Sequence, residues 1–260
     1  MIKILTFIAT IGHLTNSILE KVGNIAIFIF NSLIACITPP FYFKITLKQL
    51  MRIGYFSLPV VGLTAIFSGA VLALQTYSGF SRFNAESTIA TVVAISLTRE
   101  LGPVLVGLIV AGRVGASMAA ELGTMKVTEQ IDALRTLSTN PFKYLVAPRI
   151  IAAVISLPIL VLIADIIGIM GGYLVSVHSL GFSAGPYIIN TFKFLEAMDV
   201  ISGLVKALFF GFIIAIMGCY YGYRSSGGAQ GVGTATTNAV VVSSIVILLS
   251  NYIITGWFFG

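Results

Sequence analysis

Charged side chains are scarce in this chain: Asp, Glu, Lys and Arg together make up 9% of 260 residues, where a soluble domain carries about 25%. Residues 53–81, 150–164, 166–192, 207–223 and 225–260 contain none. A soluble enzyme and a disordered protein are both excluded. Cysteine is nearly absent too. Cys36 and Cys219 each sit in apolar sequence, which excludes a disulfide scaffold and a cysteine metal site. The two histidines, His13 and His178, are far apart and show no metalloprotease spacing. The glycine-rich stretch 224–233 (RSSGGAQGVG) lacks the Gly-Lys-Ser/Thr ending of a phosphate-cradling loop, and reads as a flexible cytoplasmic turn. No cleavable signal peptide, internal repeat, low-complexity tract or second soluble domain is legible.

What is present is apolar: 57% of residues are hydrophobic and the mean hydropathy is +1.02. A helix crossing the hydrocarbon core needs about 20 mostly apolar residues, and several uncharged runs are that long. The expected fold is therefore all-α and polytopic. Five spans are predicted, at about 54–77, 88–120, 147–178, 200–223 and 237–259. With the N-terminus inside, Lys3, Lys21, Lys44, Lys48, Arg52, Lys126, Arg135, Lys143, Arg149 and Arg224 are cytoplasmic. The outer loops then hold only Arg82 and Lys193. This asymmetry fixes a cytoplasmic N-terminus, and the net charge of +6 needs no nucleic acid to explain it. The first 45 residues form a separate region, read as an amphipathic helix in the cytoplasmic interface. The rival is a sixth span formed by the short apolar run 22–38.

Charged residues also stand inside the predicted spans. Arg99 and Glu100 interrupt the second, with Pro103 four residues after Arg99. Proline removes a backbone hydrogen bond there, so a kinked helix with a polar elbow is expected. Ionisable groups at this depth face a bundle interior or a wet cavity. The elbow either lines a cavity or carries an ion pair that fixes packing. Lys206, in the fourth span, either snorkels outward or meets an anion, Glu100 and a lipid head group being the candidates. Asp165 is assigned to helix packing. Small residues four apart (Gly107/Ala111, Gly112/Ala116, Gly115/Ala119, Gly168/Gly172) mark close helix approach. Between spans two and three, 127–137 (VTEQIDALRTL) reads as a short amphipathic helix capped by Thr128 and ended by Asn140-Pro141. It either lies flat on the membrane or inserts into a partner's groove.

The block RELGPVLVGLIVAGRVGASMAAELGTMKVTEQIDAL, residues 99–134, strongly resembles the signature of the MlaE family of ABC-transporter permeases. The likeness continues through NPFKYLVAPRIIAAVISLPIL at 140–160 and GIMGGYLV at 168–175, and more weakly over 46–260. The resemblance implies five spans and an N-terminal interfacial helix per chain, in a homodimer in the bacterial inner membrane. It implies a cytoplasmic ATPase subunit that engages 127–137 as the coupling helix, through Glu129, Gln130, Ala133 and Leu134. A periplasmic MCE-domain protein and a STAS-domain protein are further implied partners. The implied substrate is phospholipid, moved between inner and outer membranes, with no cofactor and no catalytic residue in this chain. Val71, Leu72, Gln75 and Tyr77 correspond to the family's cavity wall, and Arg99, Glu100 and Lys206 to its charged positions. One departure is Asn251, where some members carry an acid, so charge pairing is not expected there. Two other classes compete. An intramembrane lipid enzyme needs clustered acids, a nucleophile or a metal, and none is legible. An ATP-independent channel or ion-coupled transporter is permitted by the polar second span, but the paired broken helices of two halves are missing.

Overall fold

A computed structural model describes residues 2–81 and 88–260, with side chains throughout except at 2–11, 13, 14 and 18. Arg82, counted above among the outer charges, lies outside the described residues, as does the His13 side chain. Every regular element described is helical. In chain order they are α1 (Ile2–Ile37), α2 (Phe43–Ile53), α3 (Leu58–Phe80), α4 (Ile89–Ser96), α5 (Gly102–Val110), α6 (Ala116–Val127), α7 (Gln130–Thr136), α8 (Ala147–His178), α9 (Ala184–Lys193), α10 (Ala197–Tyr223) and α11 (Gly228–Phe259). Among the described residues, six helical stretches are long and apolar enough to cross a membrane: Thr15–Ile37, Phe43–Phe80, Ile89–Val127, Phe142–His178, Ala197–Tyr223 and Gly228–Phe259. The last five contain the five predicted spans. They are longer than expected, chiefly at the cytoplasmic ends, where helix continues past the apolar run. The supposed flexible turn at 224–233 is a case in point. Helix α11 starts at Gly228, behind Gly227 and Gly228 at positive φ, so the turn is confined to its first few residues.

Helices α8 and α10 form the centre, and α3, α6 and α11 pack around them. Without a hydrophobic drive between helices in lipid, close backbone approach supplies the attraction. A Cβ on Gly69 would stand 1.8 Å from the Gly168 carbonyl oxygen, and one on Gly171 would stand 2.3 Å from that of Ile66. These contacts seat α3 on α8. Gly211 and Gly222 do the same for α10 against Ala153 and Ala119. The spacing argument holds for Gly168/Gly172 but not for Gly112, where nothing lies within 4 Å.

Helix α1 is a single 36-residue element, and its contacts follow an order. Lys143 Nζ donates to the carbonyl oxygen of Pro39, just past its C-terminus. Phe28, nine residues before the end of α1, stacks against Phe142, Tyr220 and Tyr223, at the start of the third span and the end of the fourth. Further toward its N-terminus, Lys21 and Asn24 share a cleft with Arg224 and Asn238. This half of α1 thus meets the ends of successive helices on the side that carries α7.

Candidate functional site

Pro103 cannot donate to the carbonyl four residues back, and the second span responds by widening into a π-helical turn over Leu97–Leu101. Such bulges insert a residue and re-aim side chains. Arg99 and Glu100 both lie on this turn, about 15 Å along the axis from Ile89 at 1.5 Å per residue. The expected elbow is therefore present, and each charge has partners. Lys206 Nζ donates to Glu100 Oε1 at 2.7 Å and to the Arg99 carbonyl oxygen at 2.7 Å. Thr255 Oγ1 donates to Glu100 Oε1 at 2.8 Å, and Asn251 Nδ2 to Oε2 at 2.8 Å. Arg99 Nε donates to Asp199 Oδ1 at 2.5 Å, and its guanidinium lies 4.1 Å from the centre of the Phe259 ring. Lys206 and Asp199 have no exposed side-chain surface, while Arg99 and Glu100 keep about a third of theirs. The buried partners hold the exposed ones. Of the two readings of Lys206, the anionic partner is the one observed.

The elbow thus joins π-turn, α10 and α11 into one polar cluster. Asn251 does not pair charge with anything, as its identity requires, but it donates to Glu100 in a neutral role. Asp165 is buried, with Oδ1 so close to Gly102 that a Cβ there would lie 2.0 Å away. It stands at the crossing of α8 with the elbow.

The predicted wall lies elsewhere on the chain. Val71 and Gln75 are exposed on α3, Leu72 packs against the small cluster of Ala73, Ile89, Val93 and Leu97, and the Tyr77 ring meets Phe182. None of the four hydrogen-bonds to Arg99, Glu100 or Lys206, which face α10 and α11. Leu72 reaches the π-turn through Leu97, so the wall on α3 and the charged elbow against α10 and α11 lie on different faces of that turn.

The loop helix is shorter than expected. Helix α6 runs on through Val127, and α7 covers Gln130–Thr136. Thr128 is not its cap: Thr128 Oγ1 donates back to the Thr124 carbonyl, and Glu129 occupies the cap position in the left-handed region at φ 60°. The long run of helix-compatible residues in α6 overrode the cap signal. Ile131 anchors α7 in the core, while Glu129, Gln130 and Ala133 are exposed, Leu134 is half-buried and Leu137 is 74% exposed. Of the predicted coupling residues, Glu129, Gln130 and Ala133 lie on the exposed side, while Leu134 packs against the core.

Lys126 Nζ donates to Asp132 Oδ2 at 2.8 Å, and this bond, with the charges of Lys126 and Arg135, holds the Asp132 carboxyl below its ordinary range. The ion pair is complete above the ordinary aspartate value of about 4, and its contribution disappears as pH falls through the lowered folded value. Hydrogen exchange of 126–136, corrected for intrinsic rate, should stay constant from neutral pH down to about 5 and rise below that. Asp132→Asn should show the faster exchange already at neutral pH.

Sequence reasoning missed Asp199, Thr255 and Phe259. Asp199 lies just inside the outer end of α10, where its other oxygen accepts from the Glu196 backbone N–H at 3.0 Å. The E-x-x-D spacing at 196–199 was a legible helix-start signal, though nothing in it pointed to Arg99. At the cytoplasmic side, Glu121 holds Arg52 at 2.8 Å and the buried Arg149 at 3.1 Å. Those arginines had been counted as flanking charge alone.

Long apolar helices with buried ion pairs between them, glycine-mediated packing and a cytoplasmic helix with an unpacked face define a polytopic membrane protein built to work with a partner. Comparison with known proteins makes this specific. Residues 46–257 match the family described as Permease MlaE. The chain is 62% identical over 250 residues, 96% of either protein, to a probable ABC transporter permease protein of Rickettsia bellii. It is 35% identical over 260 residues, 99% of either protein, to the intermembrane phospholipid transport system permease protein MlaE of Haemophilus influenzae. It is 38% identical over 218 residues, 84% of this chain and 62% of the other, to the chloroplastic protein TRIGALACTOSYLDIACYLGLYCEROL 1 of Arabidopsis thaliana. The chain belongs to the MlaE permease family. It is an ABC-transporter permease subunit, not itself catalytic, and its class implies a partner ATPase.

Proposed function

We propose that this permease moves phospholipid between the inner and outer membranes of a bacterium, from a seat in the inner membrane. The reading rests on the charged elbow: Arg99 and Glu100 are partly open, held by the buried Asp199 and Lys206, and can face the polar part of a lipid. The family relative from Haemophilus influenzae, named for intermembrane phospholipid transport, supports the substrate class. Two copies of the chain would form a homodimer in which the α3 wall (Val71, Leu72, Gln75, Tyr77) completes a cavity with the elbow. The placement of wall and elbow on different faces of the π-turn supports that arrangement. Lys206, having no exposed surface, acts on lipid only through Glu100 as a positioning residue. The ATPase would grip α7 through Glu129, Gln130, Ala133 and Leu134. A periplasmic MCE-domain protein would receive or deliver the lipid, and a STAS-domain protein would accompany the ATPase. The contacts of α1 with helix ends support its assignment, within residues 1–45, to the cytoplasmic interface.

The test is transfer of a fluorescent phospholipid by the chain reconstituted with its partner ATPase. Wild type should require ATP. Ala133→Arg, on the exposed face of α7, should lower lipid-stimulated ATP hydrolysis and transfer at least tenfold while leaving thermal stability unchanged, since surface substitutions usually cost under about 0.5 kcal/mol. Equal transfer with and without ATP would overturn the reading in favour of an ATP-independent channel.

A further inference from the structure

Two clefts on the chain differ sharply in chemistry. The groove between α8 and α9, about 330 Å³, is walled by Leu162, Ile166, Met170, Ile188 and Phe192 and suits hydrocarbon. The second, about 530 Å³, lies between the middle of α1 and the cytoplasmic ends of α10 and α11, and its walls mix polar and apolar surface. From α1 it is lined by Glu20, Lys21 and Asn24, and from the facing helices by Tyr221, Arg224 and Asn238. Asn24 lies three residues from Lys21 and four from Glu20, so it neighbours both on the surface of α1.

The donors in this cleft are mostly unused. Among the described residues, Glu20, Lys21, Asn24, Tyr221 and Asn238 form no side-chain hydrogen bond or ion pair within the chain. Arg224 spends one donor, Nη1, on the Tyr220 hydroxyl at 3.0 Å and stacks over that ring at 5.6 Å. That contact holds the guanidinium while leaving most of its five N–H groups free. Two cations from separate helices, two amides and a phenol thus converge on one space, opposed by a single carboxylate. Charge-assisted bonds to phosphate oxygens are the strong use of such a set. The cleft also lies at the level where Lys and Arg meet the head groups of a cytoplasmic leaflet.

We infer that this cleft binds a phosphate group, carried by an anionic lipid head group of the cytoplasmic leaflet or by a soluble phosphate compound. Lys21 and Arg224 clamp it from opposite sides, Asn24 and Asn238 add donors, and Glu20 limits its affinity. The site is separate from the charged elbow and fastens α1 to the bundle whatever the elbow binds.

The experiment follows hydrogen exchange of residues 19–27 and 220–226 in the purified full chain during titration with dioctanoyl phosphatidylglycerol. Saturable protection of both segments is expected. Lys21→Ala combined with Arg224→Ala should raise the half-saturating concentration at least tenfold, the scale set by losing charged hydrogen bonds. Glu20→Gln should lower it several-fold, a gain that a misfolded variant cannot produce. Inorganic phosphate alone giving the same protection would assign a soluble source, and its failure beside a lipid response would assign the head group. Equal protection by dioctanoylglycerol, which has no phosphate, would overturn the inference. So would protection indifferent to all three substitutions. Glu100→Gln should leave the titration unchanged, which separates this site from the proposed transport cavity.

Discussion

Replacing Lys206 by methionine should cost about 3 kcal/mol of stability and abolish lipid transfer, and adding Glu100→Gln should restore most of the stability but not the transfer. The Lys206 side chain is wholly buried and its ammonium meets Glu100 at 2.7 Å. Breaking a buried pair from one side leaves the other charge uncompensated, at about 3–5 kcal/mol. The lower end applies because Glu100 keeps its bonds from Asn251 and Thr255 and remains partly open. Removing the second charge eliminates the penalty, since replacing both partners together is often close to neutral. Reversible unfolding in detergent measures the first effect, and reconstituted transfer the second. If the single substitution costs under about 0.5 kcal/mol, the scale of an ordinary surface change, the role of Lys206 in neutralising Glu100 is wrong.

Gly69→Ala should be still more damaging, at 3 kcal/mol or above, and should free α3 from α8. The new methyl carbon would lie 1.8 Å from the Gly168 carbonyl oxygen, a backbone atom that cannot rotate away. Overpacking against movable side chains costs about 1–3 kcal/mol, and a backbone clash exceeds that because whole helices must separate. Gly79→Ala on the same helix is the control. Nothing lies within 4 Å of its added carbon, and alanine favours helix by up to about 1 kcal/mol over glycine. Disulfide trapping between cysteines placed on α3 and α8 reads the separation directly. Equal yields in the two variants would show that the crossing tolerates the methyl group.

The lipid-facing pattern was the legible part of this fold. Uncharged runs located four of the five spans, the second being read as apolar sequence interrupted by charge, and Pro103 with Arg99 and Glu100 announced the elbow, because proline and membrane charge each have few structural outlets. Helix ends were less legible. The stretch Ala116–Val127 carries polar residues such as Glu121 and Lys126 that a hydropathy argument excludes, yet helix continues because the chain has left the hydrocarbon region. Partners across the bundle were least legible. Lys206 and Glu100 were paired as one alternative among several, but Asp199 at 100 residues' separation from Arg99 carried only a helix-start signal. The site's two pieces, α3 and the elbow, were grouped by resemblance, and the folded chain sets them on different faces of the π-turn.

The aromatic seat of α1 has a bearing on biogenesis. Phe28 leaves the ribosome more than a hundred positions ahead of its ring partners Phe142, Tyr220 and Tyr223. Chains are made N-terminus first, at about 5–20 residues per second, so α1 waits about 10–40 seconds with its apolar side uncovered. An amphipathic helix in that interval rests on the bilayer surface and cannot settle into place until the fourth span has been inserted. Helix α1 is synthesised before the helices it packs on and fastened only after them.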